Sequence, residues 1–145
     1  MGNLMANGKL AQGLRMELDA TPEAILAASH AVRDMATSLG LGSALTTKIN
    51  RAVCEVLLNS CTYAYRDERG KVVLQISCDD DLLEIEVIDF GRGFNCADYF
   101  APDGSPGPRA QPHMGLTIAA RAVDSFRIES SNTGTVVRMV KQVKR

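Results

Sequence analysis

The order of elements predicts an α+β fold, a two-layer sandwich in which a mixed, mostly antiparallel sheet packs on helices. Three observations carry this. Alternating apolar segments come in two adjacent pairs, at residues 72–88 and 126–140, and each pair reads as a hairpin. Two amphipathic helical stripes precede the first pair, and a third precedes the second. No Gly-x-Gly-x-x-Gly joins a first strand to a first helix, and no Walker A sequence ends in Lys-Ser/Thr, so the doubly wound nucleotide folds do not apply.

The 145 residues suit one domain with one core. Residues 1–12 read as a flexible tail, and 13–145 as the domain. Residues 14–18 alternate and read as a strand. Thr21-Pro22-Glu23 opens a helix, with Pro22 in its first turn. Ile25, Ala28, Val32, Met35 and Leu39 form its apolar stripe, and Gly40 and Gly42 end it.

A second helix starts at Ser43 or Thr46 and runs to about Tyr65. Leu45, Ile49, Ala52, Val53, Val56, Leu57 and Ser60 give it a broad buried face. Asp67-Glu68-Arg69-Gly70 makes a turn into strands 72–78 and 82–88, which Asp79-Asp80-Asp81 joins as a solvated hairpin turn. Residues 95–112 then break the pattern. Pro102, Pro106, Pro108 and Pro112, with Gly104 and Gly107, forbid a regular element there. So long a connection inside a small domain is commonly a functional lid, placed at about 95–114. A helix over 115–124 and strands 126–129 and 136–140, turning through Asn132-Thr133-Gly134, close the chain.

Composition narrows the function. Hydrophobic residues make up 46% and charged residues 23%, as in an ordinary globular protein. The formal charge of -1 gives no basic field for nucleic acid. No apolar run approaches the roughly 20 residues that span a bilayer, and residues 1–14 lack the apolar stretch of a leader. Cys54, Cys61, Cys78 and Cys96 form no Cys-x-x-Cys pair and have only two histidines to help them as ligands. They read as reduced thiols of a cytoplasmic protein.

Chemistry concentrates in three places. Glu55 and Asn59 stand four residues apart, on one face of the second helix, with Arg51 and Tyr63 extending that face. An amide oxygen there suits a hard cation held mainly by phosphates and water, and a carboxylate one turn away suits proton removal from a hydroxyl. The plainer alternative is a solvated helix edge on which Glu55 pairs with Arg51. Asp89 ends an alternating strand before Gly91 and Gly93. The glycines permit close approach of backbone to a ligand, and the carboxylate can accept from an exocyclic amine such as that of adenine. A strand-to-loop turn with an Asp cap is the alternative. Gly115 opens the helix after the lid, where first-turn amides make a phosphate cradle. His113 and Met114 lead into it, Arg109 is a cation on the lid, and Thr135 follows the last turn.

These segments together resemble the GHKL (gyrase, Hsp90, histidine kinase, MutL) ATPases, whose domain has the Bergerat or histidine kinase-like fold. The closest subgroup is the stand-alone anti-sigma factor serine/threonine kinases of bacteria. The run from Glu55 through Asn59 to Tyr65 resembles their N box, and Asp89-Phe90-Gly91-Arg92-Gly93 their first glycine box. His113-Met114-Gly115-Leu116 resembles the second glycine box, and Gly134-Thr135-Val136-Val137-Arg138-Met139 the closing strand motif. The likeness spans residues 12–143.

The resemblance implies ATP and Mg2+ as cofactors. It implies Glu55 as catalytic base, Asn59 as Mg2+ ligand and Asp89 as the holder of the adenine amine. Gly91 and Gly93 would line the purine pocket, and Gly115 and Leu116 would sit by the phosphates under the lid that carries Arg109. The substrate implied is a STAS-domain anti-anti-sigma protein, and the second partner a sigma factor sequestered by a homodimer. Two positions depart from the pattern: His113 replaces the first glycine of its box, and Tyr63 replaces a histidine of the N box. They motivate the other reading, a catalytically weak, nucleotide-gated module that sequesters a regulatory partner.

Overall fold

Thr21 starts the first helix as its sequence predicts. Its extended backbone leaves Oγ1 to accept from Ala24 N at 3.2 Å, and Pro22 takes the first helical position. The computed structural model describes residues 3–6, 9–65, 70–94, 96 and 114–143. Its elements are β1 (Asn3–Ala6), β2 (Lys9–Asp19), α1 (Pro22–Ser38) and α2 (Ser43–Asn59). A π-helical turn (Ser60–Ala64) follows, then β3 (Lys71–Asp79), β4 (Leu82–Asp89), α3 (Met114–Ala122), β5 (Ser125–Ser131) and β6 (Gly134–Gln142). The hairpin of three aspartates is as expected, with Asp80 taking a positive φ of 52° between β3 and β4.

The strands form one sheet in the order β1-β2-β3-β4-β6-β5. Every neighbouring pair is antiparallel, so the expected mixed sheet is corrected to an antiparallel one. The reason is the crossover. After α3 the chain enters at the sheet edge as β5, running parallel to β4, and β6 turns back to fill the slot between them. The stretch read as a tail also differs. Asn3–Ala6 pairs with the start of β2, whose first residue is Lys9, in register Ala6↔Lys9. Residues 7 and 8, between the two strands, lie outside the described residues.

One face of the sheet is covered. Val72, Leu74, Ile76 and Cys78 of β3, Leu83, Ile85 and Val87 of β4, and Val137 and Met139 of β6 are buried in the core. Opposite them lie Val32 and Met35 of α1, Ile49, Val53, Val56 and Leu57 of α2, and Leu116 and Ala119 of α3. Each fully buried side chain of this size contributes about 1.5–3 kcal/mol. On the other face Arg138 Nε donates to Glu86 Oε2 at 2.9 Å. The strand period of two separates these faces and turns Asp89, in phase with Leu83, Ile85 and Val87, to the helix side.

Two helix ends are specified locally. Gly40, at φ 74°, donates its N–H to Thr37 O, and Leu41 N donates to Ala36 O, closing α1 with a buried Leu41 beyond it. The expected second helix does run to Ala64, but its last turn widens to the π form, which is often found at functional sites. Tyr65 then anchors that end. Its hydroxyl donates to Lys71 O at 2.5 Å and accepts from Phe90 N at 2.7 Å, joining the helix end to the start of β3 and the loop after β4. Among the described residues no helix is long and apolar enough to cross a membrane.

Candidate functional site

Asp89 is a buried carboxylate, 4% exposed, at the end of β4. Oδ1 accepts from Gly91 N at 3.1 Å and from Thr135 N at 3.2 Å, and Oδ2 accepts from Ser60 Oγ at 3.1 Å. Burial pushes the carboxyl above the ordinary carboxylate range, while the donors from Gly91, Ser60 and Thr135 pull it back. Three segments therefore converge on one side chain: the π-helical turn, the glycine loop and the start of β6.

The glycines after Asp89 answer to close packing. A Cβ at Gly91 would lie 2.5 Å from Ala64 O and 2.6 Å from Ala64 Cβ, so the loop runs directly against the π-helical turn. Gly93 adopts φ 70°, and a Cβ there would meet the Ser131 carbonyl. From Thr135 the polar contacts continue. Its hydroxyl lies 2.6 Å from Ser130 Oγ, which accepts from Phe94 N at 2.9 Å. Asp89, Thr135 and Ser130 thus tie the loop to both strands of the last hairpin.

The other end lies along α2. Glu55 and Asn59 are both half-buried on the helix, one turn apart. Glu55 Oε1 accepts from Arg51 Nε at 2.9 Å. Its Oε2 faces the first turn of α3, where a Cβ at Gly115 would lie only 2.5 Å away. The helix-edge pair expected from the sequence exists, and the same carboxylate also reaches α3. Those two readings of Glu55 are compatible. Leu116 is fully buried in the core, so its backbone, not its side chain, is what it offers a ligand. Thr117, also buried, has no hydrogen-bond partner for Oγ1 among the described residues.

The structure thus gathers Asp89, Gly91, Gly93 and Thr135 at one end, and Glu55 with Gly115 at the other. Met114 begins α3, and Asn59 lies one turn beyond Glu55. Arg109, His113 and nearly all of the lid segment fall outside the described residues. Sequence reasoning passed over Ser60, Tyr65 and Ser130 as site residues. Ser60 carried a signal: a hydroxyl within a broad apolar face needs a buried partner. Tyr65 and Ser130 carried none, because the contacts that tie them to the glycine loop reach 25 and 36 residues along the chain. None of the four cysteines forms a disulfide, and burial raises Cys54, Cys61 and Cys96 above an ordinary thiol, which leaves them poor nucleophiles.

The sequence profile of the family described as "Histidine kinase-like ATPase domain" matches residues 18–141. Among curated proteins, the chain is 29% identical over 100 residues to an anti-sigma F factor of Caldanaerobacter subterraneus, covering 67% of this chain and 70% of that one. It is 24% identical over 144 residues to the serine-protein kinase RsbW of Bacillus licheniformis, covering 94% and 89%. Solved structures add the fold. The RsbU and RsbW domains of Rv1364c from Mycobacterium tuberculosis superpose with a TM-score of 0.69 at 23% identity. That match covers 92% of this chain and 33% of the longer protein. The SiaB–SiaC complex from Pseudomonas aeruginosa matches with a TM-score of 0.62 at 12% identity, over 88% of each chain. The profile spans most of the chain, which belongs to the histidine kinase-like ATPase family.

Proposed function

We propose that the chain is an ATP-dependent serine/threonine protein kinase that acts as an anti-sigma factor. Its substrate is a STAS-domain anti-anti-sigma protein, and its second partner a sigma factor held by a kinase homodimer. The observation that carries the reading is the placement of Glu55 Oε2 against Gly115 at the opening of α3. A base for an attacking hydroxyl belongs beside the amides that cradle the transferring phosphoryl group. Resemblance to an anti-sigma F factor and to a serine-protein kinase supports the same assignment.

In this reading Asp89 accepts from the adenine amine, and Gly91 and Gly93 keep the loop thin enough for the purine. Thr135 supplies its N–H to hold Asp89 in place. Backbone amides of Met114, Gly115 and Leu116 bind phosphate, with His113 leading into them and Arg109 contributing its charge from the lid. Glu55 takes the proton of the acceptor hydroxyl. The donor set also fits Mg2+ of a limited kind. Asn59 offers one amide oxygen, and no cluster of three His, Cys, Asp or Glu side chains exists among the described residues. That suits a cation whose other ligands are phosphates and water, and does not suit an all-protein cage. When bound, the cation supplies charge neutralisation on the phosphates.

The test has two parts. Calorimetric titration with ADP and ATP, with and without Mg2+, should show saturable, Mg2+-assisted binding that Asp89→Asn weakens. Phosphotransfer to STAS-domain proteins of the source organism should then be seen with the wild-type chain and lost in Glu55→Gln, with ADP binding kept. Equal transfer by that variant would remove Glu55 as the base. The second reading, a nucleotide-gated module without useful kinase activity, rests on His113 in place of a glycine. It predicts partner capture that differs between ATP and ADP, with no phosphoserine or phosphothreonine on the partner.

A further inference from the structure

Among the described residues the Arg51–Glu55 pair joins an exposed partner to a sheltered one, as Lys141–Asp124 also does. Arg15–Glu17 and Lys71–Asp19 expose both partners by half or more, and such pairs contribute little. In Arg51–Glu55 the arginine is 58% exposed and the carboxylate only 19%. Arg51 reaches in from solvent and grips one oxygen of a sheltered group. The grip is selective: Nε contacts Oε1 at 2.9 Å, while Oε2 is the oxygen next to Gly115.

We propose that Arg51 is a positioning residue for the phosphotransfer reaction, fixing the Glu55 carboxylate so that Oε2 is turned to the opening of α3. The inference rests on the kinase reading above. A free Glu side chain samples several rotamers about three torsions. Bonding Oε1 to an arginine on the preceding turn of the same helix removes most of them and orients the second oxygen. In the transfer step the acceptor oxygen bonds to the γ-phosphorus as the bond from that phosphorus to the bridging oxygen of ADP breaks. ADP leaves, and the hydroxyl proton passes to Oε2. Misplacing a reacting group by an ångström costs on the order of 100-fold in rate, so a base on a loose side chain is a poor one. Gly115 belongs to the same arrangement, since any side chain there would push Oε2 away.

The experiment is a double-mutant cycle on phosphotransfer, using the STAS-domain protein on which the wild-type chain acts fastest. Arg51→Gln should lower kcat about tenfold with the KM for ATP and the ADP affinity unchanged, the loss of an interaction needed only for chemistry. Arg51→Lys should recover part of that loss, having the charge without the directed Nε–H. In a Glu55→Gln background, Arg51→Gln should have no further effect, because residues that act as a unit are not additive. An unchanged kcat in Arg51→Gln overturns the inference and leaves the kinase reading standing. So does the same fold-loss in both backgrounds, since Arg51 then acts apart from Glu55. A wild-type chain that binds nucleotide and transfers phosphate to no STAS protein overturns both. Arg51 is 58% exposed, so Arg51→Gln and Arg51→Lys should keep the wild-type unfolding midpoint.

Discussion

Asp89 and Glu55 are the two carboxylates of one candidate site, and they are held in opposite ways. Asp89 takes three hydrogen bonds from three different segments and is nearly inaccessible. Glu55 accepts from Arg51 of its own helix at 2.9 Å and keeps a second oxygen turned to α3. The first arrangement is rigid and shared with the fold itself. The second is local and easily disturbed without unfolding anything. Binding and chemistry should therefore separate: damage at Asp89 costs affinity and stability together, and damage at Glu55 costs turnover alone.

The largest expected effect is on chemistry. Glu55→Gln should lower phosphotransfer by about 10²–10⁴-fold, the usual contribution of a positioned base, with ADP affinity within about twofold of wild type. If ADP affinity fell in step with transfer, the two ends would not be separable. Next is Asp89→Asn, which trades a charge-assisted acceptor for a neutral one. A loss of about 1.5–3 kcal/mol in binding, or roughly 10- to 150-fold in ADP affinity, is expected by calorimetry. Ser60→Ala comes third. It strips a donor from a buried carboxylate, and urea unfolding should show a loss of about 1–3 kcal/mol. A midpoint equal to wild type would mean that Ser60 and Asp89 are not coupled in solution.

The smallest effect is on pH dependence, and its sign follows from burial. Folding raises the Asp89 pKa, so above the ordinary carboxylate range the native state holds this proton more readily than the unfolded chain does. The ionised Asp89 then subtracts from stability as pH rises through that window, and acid relieves it. In the proposed function nucleotide binding uses the opposite state, because the ionised group accepts more freely from an amine. ADP affinity should therefore fall on acidification while this residue's own contribution to stability improves. Ser60→Ala should move the acid limb of the affinity profile to higher pH, since one donor that lowers the pKa is gone. An unmoved limb would assign the titration to another group.

The elements were legible because their signals are local. Apolar spacing in α1 and α2, the aspartate turn, and alternation in β3, β4 and β6 each lie within a segment of 17 residues or fewer. Site residues were legible only where a motif concentrates them, as at Glu55 and Asn59 or Asp89 to Gly93. The pairing of β1 with β2 was missed because the 4 residues of β1 are too few to show a period, and the antiparallel order of β4 and β6 because strand partners as far apart as Leu82 and Gln142 leave no local trace.

The sequence by itself determined the helices, the two later hairpins and the polar face of α2, since backbone preference and hydrophobic period act over a few residues. Tertiary structure alone decided that Ser60 and Thr135 meet on Asp89, and that Glu55, paired with Arg51 along its own helix, turns its other oxygen to Gly115. Those contacts depend on how whole elements dock. A buried carboxylate must find donors wherever packing brings them, and no spacing rule along the chain records which ones those are.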